Sequence, residues 1–195
     1  MNSDRGSILL AVVRAVISKQ LGIRADIPKV SENPWLSEPA ATFITLKKSG
    51  ELRGCIGSLK ARRSLIDDLQ DNAISAAFHD PRFEPLSVDE LDNITIEVSL
   101  LTEPEAIRFS SENDALAQLR PHIDGVIFEY GMHRGTFLPQ VWEQLPDPAV
   151  FMAHLKQKAG LPPSFWSDEA HLYRYTVEKF GETGEKADEQ VTAYE

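Results

Sequence analysis

The chain has 195 residues, 42% hydrophobic and 26% charged, with a net charge of −10. That length holds one generous domain or two small ones sharing a sheet, and the acidity argues against unassisted binding to nucleic acid or an anionic membrane, since phosphate recognition needs clustered Lys and Arg. A single cysteine excludes an internal disulfide and a cysteine-rich zinc or iron–sulfur site, and suits a reducing compartment.

Ser7 to Leu21 is predicted as a helix, with Ile8, Leu9, Val12, Val13, Val16 and Ile17 on a broad apolar face and Gly22 placed to end it. This run carries Arg14 and is too short to span a bilayer, so the expected location is cytoplasmic, with no membrane partner. Pro28, Pro34 and Pro39 mark an irregular segment that Trp35 and Leu36 anchor. Thr42 to Leu46 then reads as a strand, Lys47 to Glu51 as a turn and Leu52 to Leu59 as a second strand, which makes a hairpin.

The only cysteine lies on that second strand, in Arg53-Gly54-Cys55-Ile56-Gly57. In a regular strand Leu52 and Ile56 point one way and Arg53 and Cys55 the other, which puts a guanidinium beside a thiol and favours the nucleophilic thiolate. Gly54 and Gly57 weaken a strand and suit a bulge or the close approach of a ligand or another backbone. The plainer alternative is a packed, inert Cys55 whose neighbouring glycines let a helix lie close to the sheet. Lys60, Arg62 and Arg63 form a basic cluster that reads as a solvated helix entrance rather than a phosphate site.

Ser64 with Asp67 caps a helix lined by Leu65, Leu69, Ala73, Ala76 and Ala77, and Pro81 stops it. The following His79-Asp80-Pro81-Arg82-Phe83 loop either folds back to the hairpin, with His79 as a base and Arg82 as an anion clamp, or is a simple turn with solvated side chains. Ser87 and Glu90 repeat the capping pattern, and Ile94 to Leu100 alternates as the cleanest strand in the chain. Glu97 falls on its other face, either solvated or paired with Arg53.

Farther on, Asn113 to Leu119 reads as a helix, and Gly125 to Tyr130 with Thr136 to Leu138 as a second hairpin. Asp147-Pro148 starts a helix that stops at Gly160, and His171 to Phe180 is predicted as one last strand. From Gly181 the chain is acidic and aperiodic, a tail expected to be disordered in isolation over residues 181–195. His79, His122, His133, His154 and His171 show no ligand spacing, so neither a metal site nor a cofactor is expected in the chain itself. Hairpins dominate the strand connections, which predicts an α+β fold with mainly antiparallel sheet and packed helices, with residues 60–110 as a candidate inserted lobe.

Arg53-Gly54-Cys55-Ile56-Gly57, Asp80-Pro81-Arg82-Phe83, Glu97-Val98-Ser99 and Leu138-Pro139-Gln140-Val141-Trp142 followed by Lys158-Ala159-Gly160 resemble the AMMECR domain family, in the same order over residues 5–180. The resemblance implies one AMMECR domain over residues 1–180, built of two sandwich-like lobes. It also implies a place in the AmmeMemoRadiSam system, whose other components are a Memo-like protein and a radical SAM protein. Under that resemblance two functions stand. In one the chain is an enzyme or enzyme component, a thiol-dependent transferase for example. Cys55, Arg53, His79 and Glu97 are then the catalytic candidates, and Gly54, Ile56, Gly57, Asp80 and Arg82 are the ligand-binding ones for a small-molecule or protein substrate. In the other it is a non-catalytic scaffold or interaction module of the same system. A homo-oligomer is compatible with both.

Overall fold

The computed structural model describes residues 2–182, with side chains from 5 onward. It divides into a unit formed by the chain up to Leu101 and again from Glu178, and a unit formed by Thr102–Val177. Both sheets are flanked by helices and the recorded strand pairs are antiparallel, an α+β fold as the sequence predicts. No helix among the described residues is long and apolar enough to cross a membrane.

In the first unit, α1 (Asn2–Gln20) ends at Gly22, which takes the left-handed conformation at φ 80° while the Ile23 N–H closes on the Ser18 carbonyl. Strands β1 (Pro39–Lys48) and β2 (Glu51–Gly57) are joined by Ser49 and Gly50, both with positive φ, the two-residue turn that matches the twist of a hairpin. The short β3 (Arg63–Ser64) leads into α2 (Leu65–Phe78), where the Ser64 hydroxyl accepts the Asp67 N–H. A 3-10 segment, Val88–Asn93, carries the Ser87–Glu90 capping box and delivers β4 (Ile94–Leu101). The sheet order is β2-β1-β4 with β9 (Val177–Gly181) outermost and β3 paired to the start of β1. Ile44, Leu46, Ile96 and Val98 face α1 and α2 in one core with Leu9, Val13, Ile17, Leu69 and Ala73. Each large side chain so buried contributes about 1.5–3 kcal/mol.

The second unit holds β5 (Glu105–Ile107), α3 (Glu112–Ala117), the hairpin β6 (Gly125–Tyr130) and β7 (His133–Phe137), α4 (Pro148–Lys158) and β8 (His171–Tyr175), with sheet order β5-β8-β6-β7. Asp147 caps α4 through the Val150 N–H, and Trp142 stacks on Phe151 in a separate core.

Three expectations change. The single strand His171–Phe180 is two strands in two sheets: Thr176 breaks it, its N–H donating to the Thr102 hydroxyl and its carbonyl accepting the Thr102 N–H. Residues 60–110 do not coincide with a unit. Ile94–Leu101 pairs with β1 along its whole length and holds residues 60–101 to the first sheet, so the chain divides after Leu101. Gly181 and Glu182, expected to open the tail, belong to the fold. Gly181 ends β9, and Glu182 accepts hydrogen bonds from Arg14 and the Ile96 N–H. Residues 183–195 lie outside the described residues.

Candidate functional site

Strand β2 is an edge strand, and its pairing with β1 sets the geometry around Cys55. Thr45 lies opposite Cys55 and Leu46 opposite Gly54, but Lys47 lies opposite Leu52, so Arg53 is an extra residue, a β-bulge. The bulge breaks the regular alternation that would have put Arg53 beside the thiol. Arg53 turns instead to Glu90, donating from Nε and Nη2 to its two carboxylate oxygens, each at 3.0 Å, and to the Glu84 carbonyl at 2.9 Å. The Arg53 hydrogen bonds hold the Glu90 carboxyl far below the carboxylate range, burial opposing, with the Ser87 N–H and Lys48 assisting.

From Gly54 onward the alternation is regular. Gly54 faces α2, where a Cβ would lie 2.2 Å from the Ala76 carbonyl oxygen, and Ile56 packs on the helix-side core. Cys55 points the other way, half-buried, with Sγ 3.4 Å from the Thr45 hydroxyl. A Cβ on Gly57 would meet the Phe43 ring at 2.3 Å and the Thr42 carbonyl oxygen at 2.4 Å. Both glycines are thus required for packing, on opposite faces of the strand.

The loop after α2 does fold back to the hairpin. Asp80 accepts the Cys55 N–H at 3.0 Å, while Arg82 grips Asp80 through Nε and Nη2 and donates to the Cys55 carbonyl at 3.3 Å. The carboxylate and guanidinium thereby occupy the hydrogen-bonding groups that an edge strand leaves unpaired. Because Asp80 takes the Cys55 N–H, that group is not free to stabilise a substrate oxyanion. The Phe83 ring lies beneath both guanidinium groups, 5.4 Å from Arg82 and 5.9 Å from Arg53. His79 ends α2, exposed, with its backbone N–H on the Ser75 carbonyl, and among the described residues no hydrogen bond joins it to Cys55.

Arg82 holds the Asp80 carboxyl down at about 2 from 3.8, against burial, with the Cys55 and Arg82 N–H groups helping. A depressed carboxyl stabilises the fold above its unfolded value and loses that contribution as pH falls through its folded value. Asp80 is buried but Arg82 is 52% exposed, so solvent screens the pair and the contribution is about 1–2 kcal/mol. Wild-type protein should therefore be more stable than Asp80→Asn at pH 7, and the gap should close between about pH 4 and pH 2. Urea unfolding at a series of pH values measures it, and a gap independent of pH would refute the assignment.

Glu97 lies beside Thr45 on β4, with Lys47 and Lys179 as its partners and not Arg53. Burial pushes its carboxyl up, but the Lys47 hydrogen bond and the Lys179 charge outweigh that and lower it. Lys179 Nζ stands 3.1 Å from Oε2, an ion pair in poor hydrogen-bond geometry.

The sequence reading missed the polar hub just beyond the motif. Asp68, fully buried, accepts the Thr42 N–H and hydroxyl, the Ser58 hydroxyl, the Asn72 amide and Arg63 Nε, at 2.7–3.0 Å. Arg63 also bonds Asp71, so this member of the basic cluster is committed within the fold. Thr45 was missed as well. A turn placed at Ser49-Gly50 would by itself have put Thr45 opposite Gly54; the bulge at Arg53 shifts the register by one residue and brings Thr45 opposite Cys55.

Residues 10–180 match the AMMECR1 family model. A protein of Methanothermobacter thermautotrophicus is 40% identical over 94% of this chain and 97% of its own length. One from Thermotoga maritima is 43% identical over 72% of this chain and 77% of its own. The crystal structure of the uncharacterized protein PH0010 from Pyrococcus horikoshii superposes with a TM-score of 0.84 at 34% identity, covering 91% of each chain. With the family model matching residues 10–180 and the fold and nearly the whole length shared with such relatives, the chain belongs to the AMMECR1 family.

Proposed function

We propose that the protein is a cytoplasmic, thiol-dependent enzyme or enzyme component, with Cys55 as nucleophile or as acceptor of a transferred group. The observation that carries this reading is the placement of Cys55. It is half-exposed on the side of the sheet away from the helices, and Asp80 and Arg82 hold its backbone at the strand edge. The Arg82 guanidinium is raised chiefly by its hydrogen bond to Asp80, burial opposing, and the negative charge of Cys55 adds to the rise. That attraction is mutual, and it supports the thiolate. Arg82, bonded to the Cys55 carbonyl, offers a cation to a substrate, and the Phe83 ring lies under that guanidinium, while Glu97 and His79 are the candidates for moving protons. Chemistry needing a metal or a radical comes from partners, a Memo-like protein and a radical SAM protein, as membership of the family suggests.

The competing reading, a non-catalytic module docking those partners, gains from one observation: helix and ring packing explain Gly54 and Gly57 without a ligand. Alkylation of the native protein followed by intact mass separates the two, because Cys55 is the only thiol. The enzyme reading expects fast alkylation with a midpoint below the free-thiol value of about 8.5. It further expects Cys55→Ser to fail to complement a deletion strain while melting near the wild-type temperature. Protection of Cys55 until denaturant is added, or full complementation by Cys55→Ser, would overturn it.

A further inference from the structure

Thr45 stands at the centre of the sheet row that crosses the site, with Cys55 on one neighbouring strand and Glu97 on the other. Its side chain is polar and the residue is only 4% exposed. Among the described residues, its hydroxyl has the Cys55 sulfur, at 3.4 Å, as its sole hydrogen-bond partner. A buried hydroxyl needs a partner, and a neutral thiol is a poor one in either role. A thiolate is a charged acceptor, and bonds to ionised acceptors are about twice as strong as neutral ones.

The charged groups on the elements around Cys55 are engaged in ion pairs of their own. On the loop after α2, Asp80 is paired with Arg82, and His79 is exposed at the end of the helix. Arg53 at the bulge is paired with Glu90, which also holds Lys48. Across the sheet, Glu97 sits between Lys47 of β1 and Lys179 of β9. Beside these charges, Thr45 supplies a hydrogen bond made directly to the sulfur.

We propose that Thr45 is a positioning residue for Cys55: its hydroxyl donates to the sulfur, holds it as the anion and fixes the direction in which it faces a substrate. The inference rests on the reading of Cys55 as a reacting thiolate and adds to it the group that sustains the charge.

The test is the pH dependence of iodoacetamide alkylation in Thr45→Val, Thr45→Ala and Thr45→Ser, with melting measured in parallel. Valine keeps the shape and suits a strand, so stability should hold while the alkylation midpoint rises by about one pH unit. Alanine should raise the midpoint equally, and serine, which restores the hydroxyl, should return it to near the wild-type value. A merely structural threonine predicts lowered melting with no change of midpoint. Midpoints for valine and alanine that coincide with an acid-shifted wild type would overturn the role of Thr45 and leave the thiolate reading standing. A wild-type midpoint near 8.5, or no reaction, would overturn that reading and the inference with it.

Discussion

Replacing Asp68 by alanine should cost the fold about 3–5 kcal/mol, the scale on which removing one partner from a buried charged network acts. The carboxylate is fully buried and receives donors from three elements, Thr42 of β1, Asn72 of its own helix and Arg63 of β3, and from Ser58 just after β2. Alanine leaves those donors without an acceptor, and each stranded group adds a desolvation penalty of about 1–3 kcal/mol where no water reaches it. Asp68→Asn should lose less, since its carbonyl still accepts while its amide opposes the remaining donors. Guanidinium unfolding of the two variants gives the comparison, and an alanine loss below about 1 kcal/mol would show that the hub contributes little. Ser58 follows the Cys55 motif directly, so the alanine variant should also loosen the end of β2 and alter Cys55 alkylation.

Gly54→Ala should be nearly as damaging, by about 3 kcal/mol or more, for a reason of shape alone. The added methyl would sit 2.2 Å from the Ala76 carbonyl oxygen and 3.1 Å from its carbon. Overpacking usually costs about 1–3 kcal/mol when a side chain can yield. Here the obstacle is the backbone of α2, so the helix must lift from the sheet. A glycine kept for ligand approach predicts something else: a protein that melts like wild type and has lost only its chemistry. Thermal melting separates these outcomes, and a shift within about 2 °C of wild type would refute the packing account.

Much of the architecture was legible in the residues. Alternation in Ile94–Leu100, the Ser64–Asp67 and Ser87–Glu90 caps, the Asp147-Pro148 start and the glycines ending α1 and α4 are local signals, since each rests on side chains within a few residues of the backbone they satisfy. The motif around Cys55 and the ordered blocks after it were likewise enough to identify the family, which the family match and the relatives show.

The sequence could not supply register and long-range pairing, because both depend on contacts between residues far apart in the chain. A one-residue bulge took Arg53 from the thiol to Glu90, and Thr45, read only as part of a strand, proved to face the sulfur. Glu97 found Lys47 and Lys179, the second arriving on a strand that returns after the whole second unit. Thr176 split an uninterrupted alternating run between two sheets, which periodicity cannot reveal because both halves keep the same period. The sequence by itself determined the family, the α+β class and most of the elements, because those signals are local. The tertiary structure alone decided which side chains face Cys55, because a strand's partners are chosen by the sheet it joins.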